Sequence, residues 1–75
     1  MSDEQLLERI TLNSEILAGK PVIAGTRFSV EFILNLLAHG SNMQEILAEY
    51  PRLTSDDVRA CFLYAARFLR PSGAA

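Results

Sequence analysis

The chain has 75 residues, of which 49% are apolar, and a formal net charge of −2 at pH 7. This length allows one domain, and an acidic molecule has no general attraction for nucleic acid. Cys61 is the single cysteine, which excludes an internal disulfide, and no apolar run reaches the roughly 18 residues of a membrane span. We therefore predict one domain over residues 1–70, a disordered tail over 71–75, and a reducing, cytoplasmic location.

The N-terminal segment predicts a short helix followed by a short strand. Ser2 and Gln5 have the spacing of a capping box, in which each side chain binds the other residue's backbone N–H, and the helix is expected to run to about Arg9. The residues Ile10-Thr-Leu12 alternate between apolar and polar, as a strand does.

The next distinctive segment is Gly19-Lys-Pro-Val-Ile-Ala-Gly-Thr-Arg27. Its composition predicts a tight hairpin or reverse turn between Val22-Ile23 and Arg27-Phe28, with Gly25 at positive φ. A phosphate-binding loop is disfavoured because Pro21 has no N–H to offer a phosphate. We assign a structural turn role to four residues: Gly19, Pro21, Gly25 and Thr26.

A second helix is predicted to begin at Ser29 and to end at Gly40. Its main apolar stripe follows the helical period and consists of Val30, Ile33, Leu34 and Leu37. Phe32 and Leu36 add a second stripe on another face. A helix exposed to water on that side would not need these residues, so they suggest a contact with another protein.

Two further helices complete the predicted order. Asn42 and Glu45 form another capping pattern, and the helix that they start ends before Pro51. The last helix is expected to run from about Ser55 to Leu69, after a third capping signal at Thr54. Its predicted inward face comprises Val58, Cys61, Phe62, Ala65, Phe68 and Leu69. The spacing of these two helices is typical of a helix-turn-helix unit, so we predict a mainly α fold with short N-terminal strands.

The segment from Gly19 to Arg27 resembles the signature of the family called domain of unknown function 433. The resemblance covers about residues 10–66, and it continues through Ala38-His-Gly40, Glu45-Ile-Leu-Ala-Glu-Tyr-Pro51 and Asp57-Val-Arg-Ala60. It implies a small homeodomain-like bundle. Members of this family resemble antitoxins of bacterial type II toxin–antitoxin pairs. The resemblance therefore implies that the chain neutralises a PIN-like ribonuclease toxin, with operator DNA binding as a further role.

Three functions remain open at this stage: an antitoxin-like protein, a stand-alone helix-turn-helix regulator, and a dimerisation module with neither activity. An enzyme is disfavoured because no nucleophile–base pair, metal-ligand set or cofactor loop is evident, and we expect neither a metal nor a cofactor. Asp56 and Asp57 are adjacent on a helix and point about 100° apart, so they suit the helix dipole better than a metal.

Candidate binding residues fall into two sets. Residues 52–75 carry four arginines against two aspartates, and a DNA-binding surface there would include Arg52, Thr54, Ser55 and Arg59. A surface for a protein partner would use apolar and aromatic anchors with one arginine, namely Arg27, Phe32, Leu36, Tyr64 and Phe68.

We also expect a homodimer, since a small chain without a disulfide gains stability from burying its surplus apolar surface against a second copy.

Overall fold

The computed structural model describes residues 1–69. In this range the chain forms α1 (Asp3–Leu7), β1 (Ile10–Leu12), β2 (Pro21–Ile23), α2 (Val30–Ala38), α3 (Met43–Glu49) and α4 (Ser55–Leu69). The order confirms the predicted mainly α fold with short N-terminal strands. The tail predicted over residues 71–75, like Arg70, lies outside the described residues.

The helices begin at the polar residues that the sequence singles out. The Ser2 hydroxyl accepts a hydrogen bond from the Gln5 N–H at 3.2 Å, and the Gln5 side chain accepts one from the Ser2 N–H at 2.9 Å. The same reciprocal pair joins Asn42 and Glu45 at the start of α3. Each cap satisfies N–H groups that the first helical turn leaves without a partner.

The two strands pair with each other in an antiparallel sheet. Ile10 lies opposite Ile23, and Leu12 lies opposite Pro21. The expected hairpin around Gly25 is therefore a reverse turn, because the residues after it make only an isolated bridge, between Val22 and Ser29. The main partner of β2 is instead β1, to which it is joined by the long connection over residues 13–20.

The reverse turn around Gly25 is held by the residues that were predicted to form it. The Ile23 carbonyl accepts hydrogen bonds from the Thr26 N–H at 3.0 Å and from the Thr26 hydroxyl at 2.7 Å. Thr26 Oγ1 in turn accepts from the Phe28 N–H at 3.0 Å. Gly25 has a φ of 80°, which confirms the predicted positive φ.

The core forms where α2, α3 and α4 meet β2. Its buried members are Ile23, Val30, Ile33, Ile46, Leu53, Val58 and Cys61. The prediction for the inward face of α4 is wrong at three residues. Phe62 is 49% exposed, and Phe68 and Leu69 are also exposed. Phe62 follows Cys61 by one residue, and this rotates its side chain by about 100° away from the core-facing stripe.

The reverse turn gives a prediction about stability. Gly25→Val should lower the free energy of unfolding by about 1–3 kcal/mol, because a β-branched residue is strained at positive φ. A Cβ on Gly25 would meet no atom within 4 Å, so the loss would report backbone strain rather than a clash. Ala24→Val is the matched control at the neighbouring exposed position. Urea denaturation of both variants tests this, and equal midpoints would contradict it.

Candidate interaction surfaces

The start of α4 is built around the buried carboxylate of Asp57. Asp57 is 7% exposed, and its Oδ2 accepts a hydrogen bond from the Thr54 N–H at 3.0 Å. Its own N–H donates to Thr54 Oγ1 at 3.2 Å. Its Oδ1 lies 3.0 Å from Nη1 of Arg9, the residue that precedes β1. The carboxylate therefore caps α4 and also ties the N-terminal segment to it.

This arrangement changes the charge of the surface predicted to bind DNA. Asp56 lies 3.4 Å from Arg59 and 3.8 Å from Arg9, and the Thr54 hydroxyl is engaged in the cap. Ser55 is exposed. Arg52 donates to the Gly25 carbonyl at 3.2 Å. Within residues 1–69, Arg52 is thus the one arginine of the predicted DNA-binding set that has no carboxylate partner.

A cluster of aromatic side chains lies beside the reverse turn. The Phe28 ring is 5.9 Å from that of Phe32 and 5.2 Å from that of Tyr50, and the Phe32 and Tyr50 rings are 5.7 Å apart. Arg27 is exposed and makes no hydrogen bond or ion pair with the described part of the chain. Leu36, the other member of the second apolar stripe, packs half-buried against the core. This stripe therefore contributes to packing inside the molecule.

A mostly apolar groove of about 540 Å³ runs between α2 and α4. The Lys20–Glu31 ion pair, 2.9 Å between Nζ and Oε1, lies in its lining. The other lining residues are Pro21, Leu34, Asn35, Ala38, Tyr64, Ala65, Phe68 and Leu69. The groove thus has charge on one part of its lining and apolar surface over most of the rest.

Tyr64 and Phe68 line a second groove as well. Their rings are 6.3 Å apart, and the second groove, of about 500 Å³, lies between them and the strand β1. Neither groove is lined by Phe32 or Leu36. The predicted partner-binding residues therefore fall into two separate groups, one at the aromatic cluster and one at the C-terminal half of α4.

Cys61 is buried within the core and does not belong to either groove. Burial, with a smaller contribution from the negative charge of Asp57, raises the pKa of its thiol to about 12. Because the thiolate is the reactive form of cysteine, this thiol is a core side chain with little reactivity at neutral pH.

Two features of other protein classes are not found in the described range. From residue 1 to residue 69, no helix is long and apolar enough to cross a membrane. Over the same range, no three His, Cys, Asp or Glu side chains come together in a way that could hold a metal ion.

Comparison with known proteins gives a consistent result. The family model described as protein of unknown function (DUF433) matches residues 10–65. The uncharacterized protein y4eO of Sinorhizobium fredii (strain NBRC 101917 / NGR234) is 33% identical over 58 residues, which are 77% of this chain and 26% of that protein. The chain spans about a quarter of the length of this relative. The crystal structure of a DUF433 member protein from Anabaena variabilis ATCC 29413 matches with a TM-score of 0.78 and 27% identity, over 93% of this chain and 67% of the other.

The buried carboxylate at the start of α4 gives the second prediction. Asp57→Ala should lower the free energy of unfolding by about 2–3 kcal/mol, because it removes a helix cap and one partner of a part-buried ion pair. Asp56→Ala should cost less than about 0.5 kcal/mol, since Asp56 makes only partly exposed ion pairs. Thermal and urea denaturation measure both values. Equal losses would show that the position of Asp57 has no special role in stability.

Proposed function

The chain belongs to the DUF433 family, and we propose that it is an antitoxin-like interaction protein that binds and neutralises a PIN-like ribonuclease toxin in the bacterial cytoplasm. In this proposal the protein acts by binding and is not itself an enzyme. The observation that carries the proposal is the open apolar groove between α2 and α4, because an open groove lined by apolar and aromatic side chains suits a partner protein.

The lining of the groove suits an amphipathic segment of a partner. Leu34 and Ala38 on α2 face Tyr64, Ala65 and Phe68 on α4 across the groove. A helix or extended segment laid in such a groove would bury its apolar face against these side chains. Phe68 is 75% exposed, so it has much of its surface left to bury, and large aromatic side chains dominate the energy of most interfaces.

The positive charges around the reverse turn favour a partner whose surface is acidic. Arg52 reaches the Gly25 carbonyl, and Arg27 follows Gly25 by two residues in the chain. These two arginines lack carboxylate partners within residues 1–69, whereas Arg9, Arg59 and Arg67 are paired. Complementary charge at the reverse turn, apart from the groove, would speed association and help to select the partner.

Operator DNA binding is the second candidate function. It is favoured by the arrangement of α3 and α4, in which the chain passes from Glu49 to Ser55 through a short connection, as in helix-turn-helix units. The paired carboxylates at the start of α4 weigh against it, because a recognition helix usually approaches DNA with its N-terminal residues. This makes toxin binding the leading proposal.

A matched pair of variants tests the groove. Ala38→Arg places a long charged side chain at the groove, at an exposed position in the last turn of α2. Binding to the co-expressed product of a neighbouring toxin gene should then weaken by at least about tenfold, since a charge must be desolvated in the interface. Ala48→Arg makes the same change at an exposed position near the end of α3, which does not line the groove, and should bind as the native chain does.

The readouts are titration calorimetry with the purified toxin and rescue of growth in cells that express it. Circular dichroism confirms that both variants fold. Loss of binding in both variants, or in neither, would contradict a role for this groove. Replacing Leu36 would be a poorer test, because that side chain packs against the core.

The proposed binding of operator DNA can be tested through the salt dependence of its affinity. Each phosphate contact contributes about −0.9 to the slope of log affinity against log salt. With Asp56 neutralising Arg59, an isolated copy should show a slope no steeper than about −2. The double variant Arg52→Ala/Arg59→Ala should abolish the shift of promoter DNA. It should leave toxin neutralisation largely in place, because neither arginine lines the groove that carries toxin binding. Tight DNA binding by the isolated chain at about 150 mM salt, with no effect on any toxin, would favour the stand-alone regulator.

A further inference from the structure

The strand β1 has one edge that the described part of the chain leaves unpaired. The Ala24 N–H donates to the Arg9 carbonyl at 2.7 Å. Because backbone groups alternate in direction along a strand, the N–H and C=O groups of Thr11 also face β2, and those of Ile10 and Leu12 face the other way. No hydrogen bond within residues 1–69 uses these outward groups of Ile10 and Leu12.

An apolar groove runs along this same edge. It is lined on one side by Leu7 and by the three residues of β1, and on the other side by Tyr64, Arg67 and Phe68 of α4. Leu12 is 65% exposed, and Phe68 is more exposed still. An exposed strand edge beside apolar side chains is a template for pairing with another strand.

We propose that the occupant of this edge is β1 of a second copy of the chain, which joins the two small sheets into one four-stranded antiparallel sheet. The inference is independent of the proposed toxin binding. Its basis is that the edge is self-complementary. With Thr11 opposite Thr11 of the second copy, Ile10 lies opposite Leu12 on both sides of the two-fold axis. Both outward-facing residues then exchange N–H···O=C hydrogen bonds with their counterparts, which makes four hydrogen bonds in all.

Other registers use the edge less well. If Ile10 lay opposite Ile10 of the second copy, or Leu12 opposite Leu12, only one hydrogen-bonded residue pair would form within the strand. The register centred on Thr11 also places Leu12 of each copy beside Ile10 of the other on one face of the sheet. It is therefore the register that satisfies most backbone groups and brings the apolar side chains together.

The charges around the edge are compatible with a second copy. Arg67, the cation in the groove, is 3.2 Å from Asp3 of the same chain. In the register centred on Thr11, Arg9 would lie opposite Asn13, and Glu8 opposite Ser14. Along residues 8–14 of the two strands, no like charges lie directly opposite each other, so this register avoids the cross-strand repulsion that proteins use to block edge association.

The apolar area at this edge indicates a small interface, as is typical of weak dimers. A Phe side chain buries about 150–250 Å² when it is fully covered, so Leu12 and Phe68 from two copies supply about 500 Å². Strand backbone and the rest of the groove add to this, and the total lies near the lower end of specific interfaces. A dissociation constant in the micromolar range is the expected result.

Disulfide trapping tests the register directly. At the two-fold axis the Cα atoms of a pair without hydrogen bonds are about 4.5 Å apart, which is within the range that a disulfide can bridge. Thr11→Cys should therefore give a covalent dimer under mild oxidation. Leu12→Cys is the control, because the two copies of this position would be roughly 8 Å apart. The native Cys61 is buried and does not compete.

Solution mass tests the association itself. Light scattering at about 100 µM should show the native chain mostly as a dimer. Phe68→Ser should weaken dimerisation by about tenfold or more, whereas Phe62→Ser, at an exposed position on α4 outside this groove, should not change it. A single species of 8.3 kDa for the native chain, or equal trapping of the two cysteine variants, would overturn the proposal. Toxin is absent from both experiments, so their outcome is separate from that of the toxin-binding tests.

Discussion

The ion pair between Arg9 and Asp57 is the interaction on which the arrangement of the molecule depends. Arg9 connects α1 to β1, and its carbonyl accepts the hydrogen bond from Ala24 that sets the register of the sheet. Its guanidinium group is 3.0 Å from Asp57, which also caps the longest helix. One residue therefore fixes the strand to its partner strand and to α4, and the position of β1 relative to the C-terminal half of α4 follows from it.

The same pair decides which surfaces of α4 remain available. Because the carboxylates at its start are occupied by Arg9 and Arg59, the first turn of α4 is part of the structural framework. Burial then decreases along the helix, from Val58 and Cys61 in the core to Phe68 near the end. The most exposed apolar side chains of α4, Phe68 and Leu69, lie at its C-terminal end, away from Asp56 and Asp57.

Much of the fold could be predicted from the sequence because its signals are local. A capping box joins residues three apart, and the positive φ of Gly25 depends only on its own lack of a side chain. Such features can be recognised without knowing what packs against them. The partner of Asp57 could not be predicted, since Arg9 is 48 residues away and many arginines were equally available. Leu17 and Ala18 show a similar limit. Both have positive φ, which non-glycine residues rarely adopt, so their conformation is set by the closure of the chain between the strands.

The candidate surfaces were less predictable than the fold, because periodicity shows which side chains share a helix face and not what the rest of the chain does to that face. Phe32 has an apolar side chain on a second stripe, as an interface residue would, yet it stacks against Phe28 and Tyr50.

Tyr64 and Phe68 follow the core period of α4, yet they form a ridge between two grooves. A ligand that moves these side chains on one side of the ridge would also alter the groove on the other side. Linkage requires any such effect to be reciprocal, so toxin binding would strengthen or weaken dimerisation by the same factor by which dimerisation alters toxin binding. Substitutions at Phe68 alter both surfaces at once, and only residues confined to one groove, such as Ala38 and Leu12, can separate the two interactions.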